Sequence, residues 1–400
     1  MADQPRILVV DDEPGLLRVV ERVLGRRNQV RSVGTPAEAL ALMRAYAPDL
    51  AILDIRMPEM DGFELMQRLK EIQPDLDVIL MTGSLSDPDE KLVRAIRQNA
   101  FYFVQKPFDR EVLETLVDRC LELRRLAQEN RQHVSRLEHE LGDARRFQES
   151  LLPKPATELN GVSLECRYRP SSELGGDLYD YATAGTTRTA FLIADSSGHG
   201  VSAAMLTGIV KSVFHAAAAD KYDPLAVVER AREALRAFPA ERFVTLFVAV
   251  ITRRPDGFAR LDYVNAGHPP GLVWSAGHPV PPKLLTPTGP ILSPVFPAGM
   301  WERGRATLAP GDQLLLYTDG VSEAPAGELS AQERLIEGDF FGDERVARLV
   351  TEHPAGGTEL LDAILAAVDA HAAGRPLPDD LTLVCARVVG APVVEIVREQ

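Results

Sequence analysis

Five residues at the ends of short apolar runs could together hold and transfer a phosphoryl group. Ile7-Leu8-Val9-Val10 runs into Asp11 and Asp12, and Leu50-Ala51-Ile52-Leu53 runs into Asp54. Val78-Ile79-Leu80-Met81 runs into Thr82, and Phe101-Tyr102-Phe103-Val104 stops just short of Lys106. Carboxylates held together repel by about 4 kcal/mol per pair at roughly 4 Å and an effective dielectric of about 20. A divalent, oxygen-preferring cation relieves that repulsion, and Mg²⁺ suits carboxylates beside a phosphate. A carboxylate can attack phosphorus to give an aspartyl phosphate. A lysine can balance the phosphoryl charge, and a threonine hydroxyl can bond one of its oxygens. Any one of these residues alone could cap a strand end, but five at matching strand ends point to chemistry.

Four more aspartates stand beside glycines or tight turns: Asp177, Asp195, Asp319 and Asp379. For each alone the turn-capping reading prevails, although glycine beside a ligand also permits close backbone approach. No Cys or His cluster accompanies them, which disfavours soft metals. All-oxygen sites suit Mg²⁺ or Mn²⁺. Two such ions about 3.5–4 Å apart can clamp a phosphate and lower the pKa of a bridging water.

The first set requires elements that bring strand ends together. Helical spacing at 16–24, 36–46, 61–71, 87–98 and 108–122 alternates with the apolar runs, which predicts a doubly wound parallel sheet with helices on both faces. Ligands of such sheets sit outside the carboxyl ends of the strands, where Asp11, Asp12, Asp54, Thr82 and Lys106 fall. The second set lies among strand patterns at 162–169, 189–194, 243–251, 258–264, 313–318 and 381–389, with helices at 200–219, 223–238, 343–351 and 357–371. Strands in hairpins with helices grouped apart predict a mainly antiparallel sandwich flanked by helices.

Between the two lies a heptad pattern. Leu113, Cys120, Ala127, Val134 and Leu141 form one series, and Leu116, Leu123, Asn130, Leu137, Ala144 and Leu151 the other. They interleave as the a and d seam of a coiled coil, so a parallel homodimer through residues 113–151 is expected. Asn130 and Ala127 make the seam marginal and hence switchable, and Pro153 and Pro155 end the helix. The division is therefore 1–122, a linker 123–152, 153–390 and a tail 391–400.

The 400 residues carry a net charge of −14, which argues against nucleic acid or an anionic membrane as partner. Three scattered cysteines offer neither a disulfide framework nor a zinc site, so a cytoplasmic setting is the simplest. MADQPRILVV lacks the pattern of a signal peptide, and the absence of 18 consecutive apolar residues predicts no membrane insertion.

Residues 1–122, through VVDDE, LDIRMPEMDG, MTG and VQKPF, resemble a two-component response-regulator receiver domain. The resemblance implies Asp54 as phosphorylation site, fed by a histidine kinase or other phosphodonor. It implies Mg²⁺ held by Asp11, Asp12, Asp54 and the Arg56 carbonyl, Thr82 and Phe103 as switch pair, and Lys106 as phosphate partner. Gly83 and Asn99 depart from the common pattern without removing a reactive group.

GGDLYD, DSSGHG, NAGHPP, LYTDGVSEA and DDLTLV, in that order over about 150–390, resemble the SpoIIE/RsbU branch of the protein phosphatase 2C-like fold. That resemblance implies an αββα sandwich with two Mn²⁺ or Mg²⁺ ions. It implies Asp195 as bridging ligand and the Ser196 carbonyl as a ligand of the second metal. Asp319 and Asp379 would bind the first metal, and Asp177 would act partly through water. Asp380, the alternative to Asp379, is read as supporting. His199 is read as packing at a helix start, Asn265 and His268 as shaping the NAGH loop, Asp180 as holding the GGD turn, and Trp274 and Trp301 as fillers of core or rim.

The expectation is a serine/threonine phosphatase regulated by phosphorylation at Asp54. By analogy, its substrate is a phosphorylated STAS-type anti-sigma-factor antagonist. The alternative is a pseudophosphatase adaptor that binds a sigma factor or its regulator without catalysis; its signature would be missing metal ligands, and all four aspartates are present. A DNA-binding regulator would need a basic recognition helix, which the sequence lacks.

Overall fold

The computed structural model describes residues 4–83, 102–198, 200–276, 281–327 and 340–389. The chain divides into two compact units, Met1–Leu137 and Glu138–Gln400, with the boundary inside one helix, Arg110–Leu151. The helical pattern at 87–98, like His199 and the tail, lies outside the described residues.

In the first unit, β1 (Arg6–Val10), β2 (Gln29–Val33), β3 (Leu50–Asp54), β4 (Asp77–Thr82) and β5 (Tyr102–Gln105) form a parallel sheet in the order β2-β1-β3-β4-β5. The apolar runs are buried because they occupy both faces of the central strands. Leu8, Val10, Ala51 and Leu53 pack toward helices Pro36–Tyr46 and Gly62–Ile72. Ile7, Val9, Leu50 and Ile52 pack toward Pro14–Leu24 and Arg110–Leu151. Thr35 and Asp61 start two of these helices by accepting from the backbone of Glu38 and Glu64.

The long helix corrects the heptad reading at its start. Leu113 and Cys120, taken as seam positions, are buried with Val117 against the parallel sheet. A helix stripe packed on its own domain has the same spacing as a coiled-coil seam, so the pattern alone could not separate them. Farther on, Val134 is 47% exposed and Leu137 58%. Arg124 bonds Asp77 and the Asp75 carbonyl, and Arg131 lies 2.9 Å from Asp75.

The second unit is four layers deep. One antiparallel sheet has the order β14-β11-β10-β9-β8, built from β8 (Asp177–Ala184), β9 (Arg188–Ser196), β10 (Val244–Arg253), β11 (Ala259–Ala266) and β14 (Gly304–Leu308). The other has the order β13-β12-β15-β16-β7-β6, built from β6 (Ala156–Leu159), β7 (Val162–Arg169), β12 (Gly271–Ser275), β13 (Lys283–Leu285), β15 (Asp312–Tyr317) and β16 (Leu381–Val388). Phe191, Ile193, Phe247, Leu314 and Val384 fill the space between the sheets. Helices Val201–Ala216 and Pro224–Leu235 cover the first sheet, and Asp343–Glu352 and Gly357–His371 the second. The expected αββα sandwich is present.

Val201–Asp220 is long and apolar enough, by length and composition, to cross a membrane, although polar residues such as Lys211 interrupt its apolar run. Its Leu206, Val210, Phe214 and Ala217 are buried against the sheet.

Candidate active site

The ends of β1 and β3 bring three carboxylates of the first unit together. Asp11 and Asp54 are buried, Asp12 is exposed, and one oxygen of each lies within 4.8 Å of the others. Lys106 Nζ lies 2.5 Å from Asp11 Oδ2 and 2.9 Å from Asp54 Oδ1. Burial raises the Asp54 pKa while Lys106 opposes the rise. Burial pulls Lys106 down, but Asp11 and Asp54 outweigh it and its pKa is raised. Arg56 N donates to Asp54 Oδ2 at 3.2 Å, and Thr82 is buried at the end of β4 with its carbonyl accepting from Lys106 N. Phe103 packs partly buried against the core on one side of the sheet. Three hard oxygen donors and a lysine fit a site for Mg²⁺ and a phosphoryl group.

The second acidic site forms where strands from both sheets end on one rim. Asp177 opens β8 and pairs in register with Asp195 near the end of β9. Asp319 follows β15, and Asp379 and Asp380 precede β16, which pairs with β15. Asp177 joins the sheets: its Oδ2 accepts from Thr318 Oγ1 at 2.8 Å and Thr382 Oγ1 at 2.6 Å. Burial raises its pKa well above the carboxylate range, and Asp195 adds to the rise. Asp195 is pushed up to about 8 by burial and by facing Asp319 and Asp379. Asp319 is raised by burial and by Glu323.

Asp380 is engaged by the backbone. One oxygen accepts from Ser171 N at 2.7 Å, and the other from Gly176 N at 2.6 Å. Asp379 is exposed and accepts from Asp380 N. The double glycine and the DG step serve close packing: a Cβ on Gly176 would lie 2.8 Å from the Ser196 carbonyl, and one on Gly320 would strike the Asp380 carbonyl.

Among the described residues, the first unit's triad is the group whose ligand atoms approach within 4.8 Å. No three carboxylates of the second site meet that distance among the described residues. Their donor set is nonetheless all oxygen, burial and the neighbouring carboxylates raise the proton affinity of Asp177 and Asp195, and the buried Ser196 Oγ beside them has no hydrogen-bond partner. Those features fit hard divalent cations.

Sequence reasoning missed Ser171, Thr318, Thr382 and Glu323. Glu323 had a signal, since it stands four residues after Asp319 on one helical turn. Asp180 holds no turn. It lies in β8, bonded to Lys211 and, at 2.9 Å, to His215 Nε2, and so fastens the strand to helix Val201–Ala216. Asn265 does shape its loop, accepting from His268 N at 2.8 Å and donating to the His268 carbonyl at 3.0 Å.

His268 is fully buried, with Nδ1 2.8 Å from Thr245 Oγ1, and burial lowers its pKa to about 3. In an unfolded chain it takes a proton near pH ~6.5. The unfolded chain therefore binds more protons between those values, and stability present above about 6.5 is lost as pH falls through the window. Unfolding free energy should drop by about 2 kcal/mol from this group between roughly pH 7 and 5, and His268→Gln should remove that slope. Trp274 and Trp301, both in the second unit, report it by fluorescence during chemical unfolding.

Residues 185–389 match the protein family described as Stage II sporulation protein E (SpoIIE). The chain belongs to the SpoIIE family. Its first unit is a response regulator receiver domain, matched over residues 7–118. The SpoIIE match begins after Asp177, and includes Asp195, Asp319 and Asp379.

Among curated relatives, Protein IcfG of Synechocystis is 25% identical over 368 residues, covering 85% of this chain and 52% of IcfG. Phosphoserine phosphatase RsbP of Bacillus subtilis is 32% identical over 194 residues, 47% of this chain and 46% of RsbP. The chain thus spans about half the length of these two relatives. The SiaA-PP2C domain of Pseudomonas aeruginosa superposes with a TM-score of 0.54 at 22% identity, covering 64% of this chain and 98% of that domain. The likeness extends to the fold: the second unit of this SpoIIE-family chain is a phosphatase 2C-like sandwich. Phosphatases of this type generally depend on divalent metal.

Proposed function

We propose that the chain is a metal-dependent protein-serine/threonine phosphatase controlled through Asp54. The observation that carries this reading is the gathering of Asp177, Asp195, Asp319 and Asp379 from the strand ends of both sheets on one rim. RsbP, described as a phosphoserine phosphatase, supports the choice of phosphoester.

In this reading Asp195, Asp319, Asp379, Asp177 and the Ser196 carbonyl hold two Mn²⁺ or Mg²⁺ ions. Bound there, such ions would neutralise phosphoryl charge and acidify a water for attack on phosphorus. Asp177 fixes the spacing of the rim through Thr318 and Thr382. Asp380 orients the Gly176 backbone and is not itself a ligand. In the receiver, Asp11, Asp12, Asp54 and the Arg56 carbonyl hold Mg²⁺. Asp54 takes the phosphoryl group from a histidine kinase or other donor, and Lys106 exchanges its Asp54 contact for a phosphoryl oxygen. Thr82 and Phe103 then carry the change, and the exposed 125–137 stretch of the helix pairs two copies.

The substrate we infer is a phosphoserine or phosphothreonine protein, such as a STAS-type anti-sigma-factor antagonist, in the cytoplasm. Three buried free cysteines suit that setting. Purified full-length protein with Mn²⁺ should release phosphate from a phosphoserine-bearing antagonist, and Asp319→Ala should not. Folded protein that binds the antagonist equally well with and without Asp319→Ala, yet releases no phosphate, would replace this reading with the adaptor.

A further inference from the structure

The end of the long helix is fastened to the loop that leads into β8 and the acidic rim. Gln148 is buried while its neighbours Phe147 and Glu149 are exposed. Its Nε2 donates to the Gly175 carbonyl at 2.7 Å, and its Oε1 accepts from Gly175 N at 3.1 Å. One side chain thus satisfies both backbone groups of one residue, as a neighbouring strand would. Nε2 also lies 3.4 Å from Thr207 Oγ1 in helix Val201–Ala216.

The residues that follow continue the attachment along β8. Leu152 packs against both the core between the sheets and the core beneath the helices. Tyr179 Oη donates to the Pro153 carbonyl at 3.1 Å, and Tyr181 Oη to the Lys154 carbonyl at 3.0 Å. Gly175 is followed by Gly176, whose N–H bonds Asp380 and whose carbonyl accepts from Ser196 N at 3.0 Å. Asp177 comes next. From Gln148 the path to the rim is therefore one residue of backbone.

We propose that Gln148 is a positioning residue for the divalent-cation site. It sets the Gly175–Asp177 backbone, and with it Asp177 and Ser196, according to where the helix end stands. A shift or turn of that end that withdraws Gln148 leaves a buried N–H and a buried carbonyl without partners, so the loop has a clamped and a released state. The inference rests on the rim being the cation site of a phosphatase.

The test is Mn²⁺ binding to the full chain by electron paramagnetic resonance, beside Mn²⁺-dependent phosphate release. Asp12→Ala is present throughout to silence the receiver cation. Gln148→Met keeps the side chain's bulk without its hydrogen bonds, and Gln148→Glu keeps an acceptor for Gly175 N but loses the donor. Glu149→Gln is the exposed control. Gln148→Met should weaken Mn²⁺ binding by about tenfold, with turnover recovering at saturating Mn²⁺. Gln148→Glu should fall between it and the parent, and Glu149→Gln should match the parent.

If Gln148→Met does not fold, Gln148→Glu decides by the same readout. Binding by the folded Gln148 variants within twofold of the parent overturns the proposal, whether or not the parent is a phosphatase. A parent that binds Mn²⁺ in the rim but hydrolyses nothing overturns the phosphatase reading alone, and weaker binding in the variants still supports the clamp. A parent that binds no Mn²⁺ in the rim overturns both.

Discussion

Asp195→Asn should lower phosphoserine turnover by about a thousandfold or more while leaving the metal-free protein as stable as the parent, or more so. The two effects have one cause. Asp195 is held by burial beside Asp319 and Asp379, which pushes its pKa up to about 8. Without cations its charge is a liability, and an isosteric amide relieves it. In the proposed cation site that same charge would be the contribution of Asp195 to holding the ions. A thousandfold loss corresponds to about 4 kcal/mol in the barrier, the scale of removing one main electrostatic contribution. Phosphate release and thermal melting in chelator check the two signs. Retained turnover, or a clear drop in metal-free stability, would contradict the role given to Asp195.

Asp380→Asn tests the opposite kind of carboxylate. Asp380 is buried, and its two oxygens accept from Ser171 and Gly176 on the strand-leading loop. An amide keeps one acceptor and turns a donor toward the other N–H. One of those two N–H groups then loses its partner and faces another donor. The expected cost is about 3 kcal/mol, or a melting point lower by roughly 6–12 °C for a domain of this size. Turnover should fall as well, because Gly176 leads into Asp177. Chelator should not change the stability loss, which separates it from the loss of a cation ligand. A melting point within about a degree of the parent would show that those bonds do not hold the loop.

The contrast between these aspartates also marks how far the sequence could be read. The receiver was legible because each core strand is an unbroken apolar run that ends in a reactive residue. In the second unit, β8 escaped notice because DLYDYATA carries charge in its middle. Asp180 is tolerated there since Lys211 and His215 meet it, and Asp177 since two threonine hydroxyls do. β2, QVRSV, escaped for another reason: it is a partly exposed edge strand with little apolar content. The partners Thr318, Thr382, Ser171 and Gln148 come from register between distant segments, which no local pattern records. Leu113 and Cys120 were readable as helix but not as core, because a stripe packed on its own sheet and a coiled-coil seam share one period.

The central claim is that the receiver's state sets the output of the phosphatase rim. The most direct measurement is the rate of Mn²⁺-dependent phosphate release by the full chain with and without beryllofluoride, beside Asp54→Ala. The account predicts a rate that changes severalfold with beryllofluoride in the parent and does not change in Asp54→Ala. Equal rates in the parent with and without beryllofluoride, from a receiver shown to have bound it, would contradict the account.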